Sequence, residues 1–265
     1  MKQALWAGAA LAALASAPVD ALEPFKTYDS FSTTPINPTL WNGWERTRQI
    51  KSGQLNLVQR DYGLTSSDSG STYYNWSDDI TDYPLVTELR AKVTVNALEV
   101  NACASNASVG LARARIYGSF YNVGTPVAGS QTGDALAQVR LYRLSNSTDA
   151  PGLLQVQGLL ANCTNTDCSS SNTVGTVALG TITVGTATTV QLQWDKPNKQ
   201  FLFSRDSGSS SGTIKYTDSD AQSPGVPFKR VGTRTDLASC LSNPRVTGYV
   251  DASFDNVSVN KSAAP

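Results

Sequence analysis

The stretch Val190-Gln191-Leu192-Gln193-Trp194-Asp195-Lys196-Pro197-Asn198-Lys199-Gln200-Phe201-Leu202-Phe203 decides the fold. Val190, Leu192 and Trp194 alternate with Gln191 and Gln193, the period of a strand with one face in a core. Asp195-Lys196-Pro197-Asn198 is a turn by composition, and Phe201-Leu202-Phe203 returns as a second strand, so the stretch predicts a β-hairpin.

The same period recurs outward from this hairpin. Leu89, Ala91, Val93 and Val95 alternate with Glu88, Arg90, Lys92 and Thr94. Ala112, Ala114 and Ile116 alternate with Arg113, Arg115 and Tyr117, Val139 and Leu141 with Gln138, Arg140 and Tyr142, and Leu154 and Val156 with Gln155 and Gln157. Polar, turn-forming segments separate these runs at 66–71, 122–133, 145–152, 169–175 and 206–212. No segment carries a sustained helical stripe, and Glu is confined to Glu23, Glu45, Glu88 and Glu99. Many short strands joined by polar turns predict an antiparallel sandwich or barrel.

The N-terminus reads as a secretory signal peptide: Lys2, an apolar run from Ala4 to Ala15, and the small residues of Val19-Asp20-Ala21. Cleavage is expected after Ala21, leaving 22–265 as one domain. The run is too short for a bilayer span of about 20 apolar residues, and no later segment reaches that length, so a soluble exported product, periplasmic or extracellular, is expected. Lys+Arg and Asp+Glu are each 21. A neutral chain has no electrostatic reason to bind nucleic acid or an anionic membrane.

Cys103, Cys163, Cys168 and Cys240 are the four cysteines. An even count in an exported chain predicts two disulfides, with three connectivities available. Cys163 and Cys168 flank the polar turn Thr164-Asn165-Thr166-Asp167, which suits a local clip and leaves Cys103 with Cys240. A zinc site is disfavoured, since the spacing matches no usual zinc pattern and the chain has no histidine.

Three segments carry a family resemblance: Phe31 through Leu40-Trp41 to Ser52-Gly53-Gln54-Leu55-Asn56-Leu57; Leu179-Gly180-Thr181-Ile182 into the 190–203 hairpin; and Ala252-Ser253-Phe254-Asp255-Asn256-Val257-Ser258-Val259. Together they resemble the first, central and closing strands of concanavalin A-like lectin/glucanase jelly rolls. The resemblance implies one jelly-roll sandwich and a link to carbohydrate. That architecture hosts lectins, hydrolases, lyases and non-catalytic modules, so function must be argued from the site.

The absence of histidine excludes Ser-His-Asp and Cys-His nucleophile systems. The glucanases of this fold carry alternating acidic residues on one strand, and no such run is present. Thr87-Glu88-Leu89-Arg90 resembles the motif around a catalytic arginine in jelly-roll alginate lyases, without that family's histidine; Glu88 and Arg90 also read as a solvated charge pair. A polysaccharide lyase or hydrolase would draw on Arg90, Gln138 and Tyr142. A structural or assembly protein of the envelope or matrix is a further alternative.

The leading expectation is a non-catalytic, lectin-like protein whose partner is a glycan or polysaccharide. The strand faces opposite the core read Arg113, Arg115, Tyr117; Gln138, Arg140, Tyr142; Gln155, Gln157; and Gln191, Gln193. If these strands share a sheet, guanidinium and amide forks and tyrosine rings form a band suited to sugar hydroxyls, carboxylates and ring faces. The same residues fit an ordinary solvated sheet face. Tyr73, Tyr74 and Trp76 read as aromatics of a polar loop, either a stacking platform or a cap on the core. Trp41, Trp44 and Trp194 read as core packing. No cofactor is expected, although Asp78, Asp79 and Asp82, or by analogy Asp29 with Asp255, could hold a structural calcium.

Overall fold

The computed structural model describes residues 26–27, 30, 45–81, 83–241 and 245–263. The predicted signal peptide, Asp29, Trp41, Trp44 and Asp82 lie outside them, as does most of the opening segment that carries the family resemblance. All the strands belong to one compact unit, Asn42–Pro265.

That unit is an antiparallel sandwich of two sheets, and among the described residues no α-helix is present. The strands are β1 (Glu45–Lys51), β2 (Gln54–Tyr62), β3 (Ser71–Asp79), β4 (Glu88–Val100), β5 (Leu111–Asn122), β6 (Asp134–Leu144), β7 (Leu153–Cys163), β8 (Ser171–Thr183), β9 (Ala187–Asp195), β10 (Gln200–Arg205), β11 (Ser210–Lys215), β12 (Lys229–Ala238) and β13 (Thr247–Val259). The first sheet has seven strands in the order β1-β2-β13-β4-β9-β10-β11, and the second has six, β3-β12-β5-β6-β7-β8. The predicted hairpin is β9–β10, with Phe201 opposite Trp194 and Phe203 opposite Leu192.

The core lies between the sheets and is built from the alternating positions read in the sequence. Leu89, Ala91, Val93, Val190, Leu192, Phe201 and Phe203 come from the first sheet, and Ala112, Ala114, Ile116, Val139, Leu141, Leu154 and Val156 from the second. Trp194 packs among Phe120, Tyr121 and Phe201, and its indole N–H donates to the Tyr216 hydroxyl at 2.8 Å. A polar network also crosses between the sheets, unforeseen from the alternation. The fully buried Asp61 accepts from Thr235 Oγ1 at 2.7 Å and Gln59 Nε2 at 2.5 Å, and Thr233 Oγ1 donates to Gln59 Oε1 at 2.7 Å. Partnered in this way, the buried polar groups avoid the desolvation penalty they would otherwise carry.

Both expected disulfides are present: Cys103–Cys240 spans 137 residues and Cys163–Cys168 spans 5. Three local expectations need correction. Tyr73, Tyr74 and Trp76 lie on strand β3 rather than in a loop, with all nine residues of β3 in register with β12. The segments 169–175 and 206–212, expected as turns, contain the starts of β8 and β11.

Candidate functional site

β5 runs through the six-stranded sheet between β12 and β6 and is buried at all twelve positions. Its even-numbered residues Ala112, Ala114 and Ile116 face the core, so Arg113, Arg115 and Tyr117 face the opposite side, and yet Arg113 is 6% and Arg115 3% exposed. A plain solvated face is thereby ruled out for this strand. The outer face of the sheet forms a cleft of about 770 Å³, with the guanidiniums on its floor.

Register assembles the rest of the site. Arg113 lies opposite Tyr142 on β6 and Arg234 on β12; Arg115 opposite Arg140 and Gly232; Tyr117 opposite Gln138 and Arg230. On β7, Gln157 stands opposite Arg140 and Gln155 opposite Tyr142. On β3, Asn75 stands opposite Arg234 and Tyr73 opposite Asp236. The strand pairing therefore brings Arg113, Arg115, Tyr117, Gln138, Arg140, Tyr142, Gln155 and Gln157 into one band. Gln191 and Gln193 are not part of it, because β9 belongs to the other sheet, where Gln193 Nε2 donates to Glu88 Oε1 at 2.7 Å.

The guanidiniums are oriented by neutral groups. Arg115 donates to Asn75 Oδ1 at 2.9 Å and to Gln138 Oε1 at 3.3 Å, and stacks 3.6 Å from the Tyr117 ring centroid. Arg140 donates twice to Gln157 Oε1, at 3.1 and 2.6 Å, and lies over Tyr142 at 4.3 Å. Among the charged groups lining the cleft only Arg234 is ion-paired, with Asp236 at 2.6 Å. Leu136, Leu159 and Ala161 form an apolar wall, and Cys168 and Ser169 stand at the rim.

One hydrogen bond ties the opposite margins of the sheet together. The Tyr73 hydroxyl on edge strand β3 donates to Asp167 Oδ2, in the β7–β8 connection, at 2.6 Å. Burial, then the bond to Asp167, pushes the Tyr73 hydroxyl up to about 12. The bond from Tyr73, then that from Ser169, holds the Asp167 carboxyl down at about 2. Arg234 lies 4.3 Å from the Tyr73 ring centroid.

Tyr74 and Trp76 alternate with Tyr73 and turn away from the cleft. The Tyr74 hydroxyl donates to the Tyr62 carbonyl at 3.3 Å, and the Trp76 indole donates to the Thr47 carbonyl at 3.0 Å while packing against the core. Sequence reasoning missed Asn75, Arg234 and Asp236. The signal was present in Val231, Thr233, Thr235 and Leu237, which alternate with Arg230, Gly232, Arg234 and Asp236, but threonine at the inward positions blurred the apolar stripe.

The lyase alternative loses its proposed constellation. Arg90 lies on β4 in the first sheet, whereas Gln138 and Tyr142 lie on β6 in the second, so the three share no face. Of the calcium candidates among the described residues, Asp78 pairs with Arg48 at 2.5 Å, Asp79 pairs with Arg230, and Asp255 accepts from the Asn256 backbone N–H at 2.8 Å. Asp68, Cys103 and Cys240 lie within 4.8 Å of one another, but both sulfurs are in a disulfide and cannot serve as thiolate ligands.

No family model and no curated protein matches this chain. Several solved structures resemble the chain at low identity and low TM-score. A legume lectin-like domain from Entamoeba histolytica is 11% identical over 90% of this chain and 100% of that one, with a TM-score of 0.36. A glycoside hydrolase family protein from Mycobacterium thermorestibile is 14% identical over 78% and 77%, at 0.39. An alginate lyase from Alteromonas sp. 272 is 12% identical over 78% of each chain, at 0.29. At these identities and TM-scores the three are likenesses alone, and they bear on neither family, ligand nor reaction.

Proposed function

We propose that this chain is an exported, non-catalytic glycan-binding protein, and that the cleft over β5, β6, β7 and β12 is its binding site. The observation that carries the reading is the convergence, in one cleft, of oriented guanidiniums and the Gln138 amide with the Tyr73 ring and an apolar wall. Forked donors match vicinal oxygens, and aromatic and aliphatic faces match the C–H faces of a pyranose. The volume of about 770 Å³ accommodates a short oligosaccharide. The carboxylates support a binding over a hydrolytic reading: Asp236 is the one acidic residue lining the cleft among the described residues, and Arg234 holds it. Glycoside hydrolysis commonly needs a second carboxyl group about 5–9 Å from the first. The disulfides and the sequence of residues 1–21 support export.

The test is a glycan and polysaccharide array probed with the purified chain, alongside an assay for new reducing or unsaturated ends. Reproducible binding that falls at least tenfold in Arg140→Ala and Tyr142→Ala, without bond cleavage, is the expected result. Wild-type binding by both variants would place the site elsewhere, and released ends would make the protein an enzyme.

A further inference from the structure

The cleft concentrates charge on a protein that has none overall. Arg113, Arg115, Arg140 and Arg234 line it against a single carboxylate, that of Asp236, while the chain as a whole carries 21 basic and 21 acidic residues. Asp236 is spent on Arg234. The remaining three guanidiniums have no acidic partner within ion-pair distance among the described residues; Arg115 donates to the amide oxygens of Asn75 and Gln138, and Arg140 to that of Gln157. An amide oxygen fixes the direction of a guanidinium without cancelling its charge.

Arg113 is the extreme case. It is 6% exposed, makes no hydrogen bond or ion pair with any described residue, and its Nε is buried without an acceptor. Burying an unpaired cation costs several kcal/mol in a folded protein. Packing the core requires nothing of the sort, because Ala112 and Ala114 already fill the inward side of β5. Burial holds the Arg113 guanidinium well below its ordinary range, and Arg115, Arg234 and Arg140 add repulsion that Asp236 only partly offsets. Burial likewise brings Arg115 down to about 10. A floor of destabilised, oriented and unneutralised guanidiniums is the complement of an anion that supplies the missing acceptors.

We propose that the ligand is an acidic polysaccharide whose carboxylate or sulfate groups are bound by Arg113, Arg115 and Arg140. The proposal rests on the glycan-binding reading above and narrows it to a charge class. Arg113 provides the buried contact, Arg115 and Arg140 flank it on β5 and β6, and Leu136, Leu159 and Tyr73 take the less polar faces of the sugar rings.

Titration calorimetry with matched probes decides it. The full chain is titrated with polygalacturonate and with its carboxyl-reduced counterpart, and with dextran sulfate and plain dextran. At least tenfold tighter binding of one anionic member over its neutral partner, weakening as salt is raised, supports the proposal, and whichever pair shows the difference identifies carboxylate or sulfate as the group read. Equal binding of anionic and neutral members overturns the charge assignment and leaves glycan binding standing. Binding of none of the four, together with a blank array, removes both. Poly-L-glutamate bound as tightly as polygalacturonate would also overturn it, since charge alone would then suffice. In Arg113→Met, anion binding should fall at least tenfold while the melting temperature rises, because a merely structural arginine would lower stability when removed. Should that variant not fold, Arg140→Gln, at a half-buried position, carries the same binding prediction; wild-type affinity in both variants would overturn the assignment.

Discussion

Lys229, the first residue of β12, is 4% exposed; its ammonium donates to the Ser119 carbonyl at 2.6 Å and sits 4.2 Å from the Phe120 ring centroid. Among the described residues it has no ion-pair partner, and burial brings its amine down to about 7. An unfolded chain keeps that proton to about 10.4, so between pH 7 and 10 the unfolded state binds more protons, and folding stability from this group rises with pH. Below about pH 7 both states hold the proton, and the penalty of a buried charge acts in full. Lys229→Met should therefore be more stable than the parent at pH 6, on the order of 2–4 kcal/mol, with the difference shrinking by pH 10; urea melts of both proteins at the two values check this. Tyr73→Phe makes a second residue-scale prediction: without the hydroxyl that lowers it, the Asp167 carboxyl should rise from about 2 toward its ordinary 3.8, as read by NMR titration. The β5, β6 and β7 residues of the cleft were legible in the sequence because strict alternation gives each one a side of the sheet. Their burial was not, because it depends on which strands flank β5 and on what stands at the rim, and no local pattern encodes either.

At the scale of elements, β7 packs closely against β10 across the two sheets. A Cβ built on Gly158 would lie 2.4 Å from Phe203 Cγ and 2.6 Å from its Cβ, so the absence of a side chain on β7 is what lets the β10 phenylalanine fill the core. Gly158→Ala should destabilise the protein by about 1–3 kcal/mol. Phe203→Leu alone should also destabilise, but the double variant should lose less than the two singles together, which a double-mutant cycle of denaturant melts measures. The elements that the sequence made plain, β4, β5, β6, β7, β9 and β10, bury one face against the other sheet and so carry a clean period of two. Apart from β12, with its inward threonines, those it obscured are edge strands: β3, β8 and β11 each end a sheet. Apart from Val174, Ser71–Asp79 and Ser171–Gly175 are built from Ser, Thr, Asn, Asp, Gly and a few aromatics, a composition shared with turns, because an edge strand needs less apolar surface and gains from polar residues that discourage pairing with other chains. Reading Tyr73-Tyr74-Asn75-Trp76 as a loop followed from that overlap, and only the unbroken register with β12 resolves it.

For the molecule as a whole, the two disulfides do different work, and their removal should separate stability from binding. Cys103 lies beyond the end of β4 in the first sheet and Cys240 just past β12 in the second, so their bond ties one end of the sandwich together beside Leu237, Ala238 and Val246. Closing a loop of 137 residues removes chain entropy from the unfolded state worth about 5 kcal/mol, against about 2 kcal/mol for the 5-residue Cys163–Cys168 loop. The short bridge acts instead on the cleft. It fixes the connection that carries Asp167 to Tyr73, places Cys168 and Ser169 at the rim, and packs with Leu136 and Phe228. Replacing Cys103 and Cys240 together with alanine should therefore produce the larger fall in denaturation midpoint, with the affinity of the surviving folded protein close to that of the parent. Replacing Cys163 and Cys168 should produce the smaller fall in midpoint and the larger loss of affinity, because the rim then samples positions in which Asp167 no longer reaches β3. Denaturant melts and ligand titrations on the two double variants, run at a temperature where both are folded, read the two quantities independently. If the short-bridge variant binds as tightly as the parent, the rim takes no part in recognition, and the floor of β5, β6 and β12 alone holds the ligand.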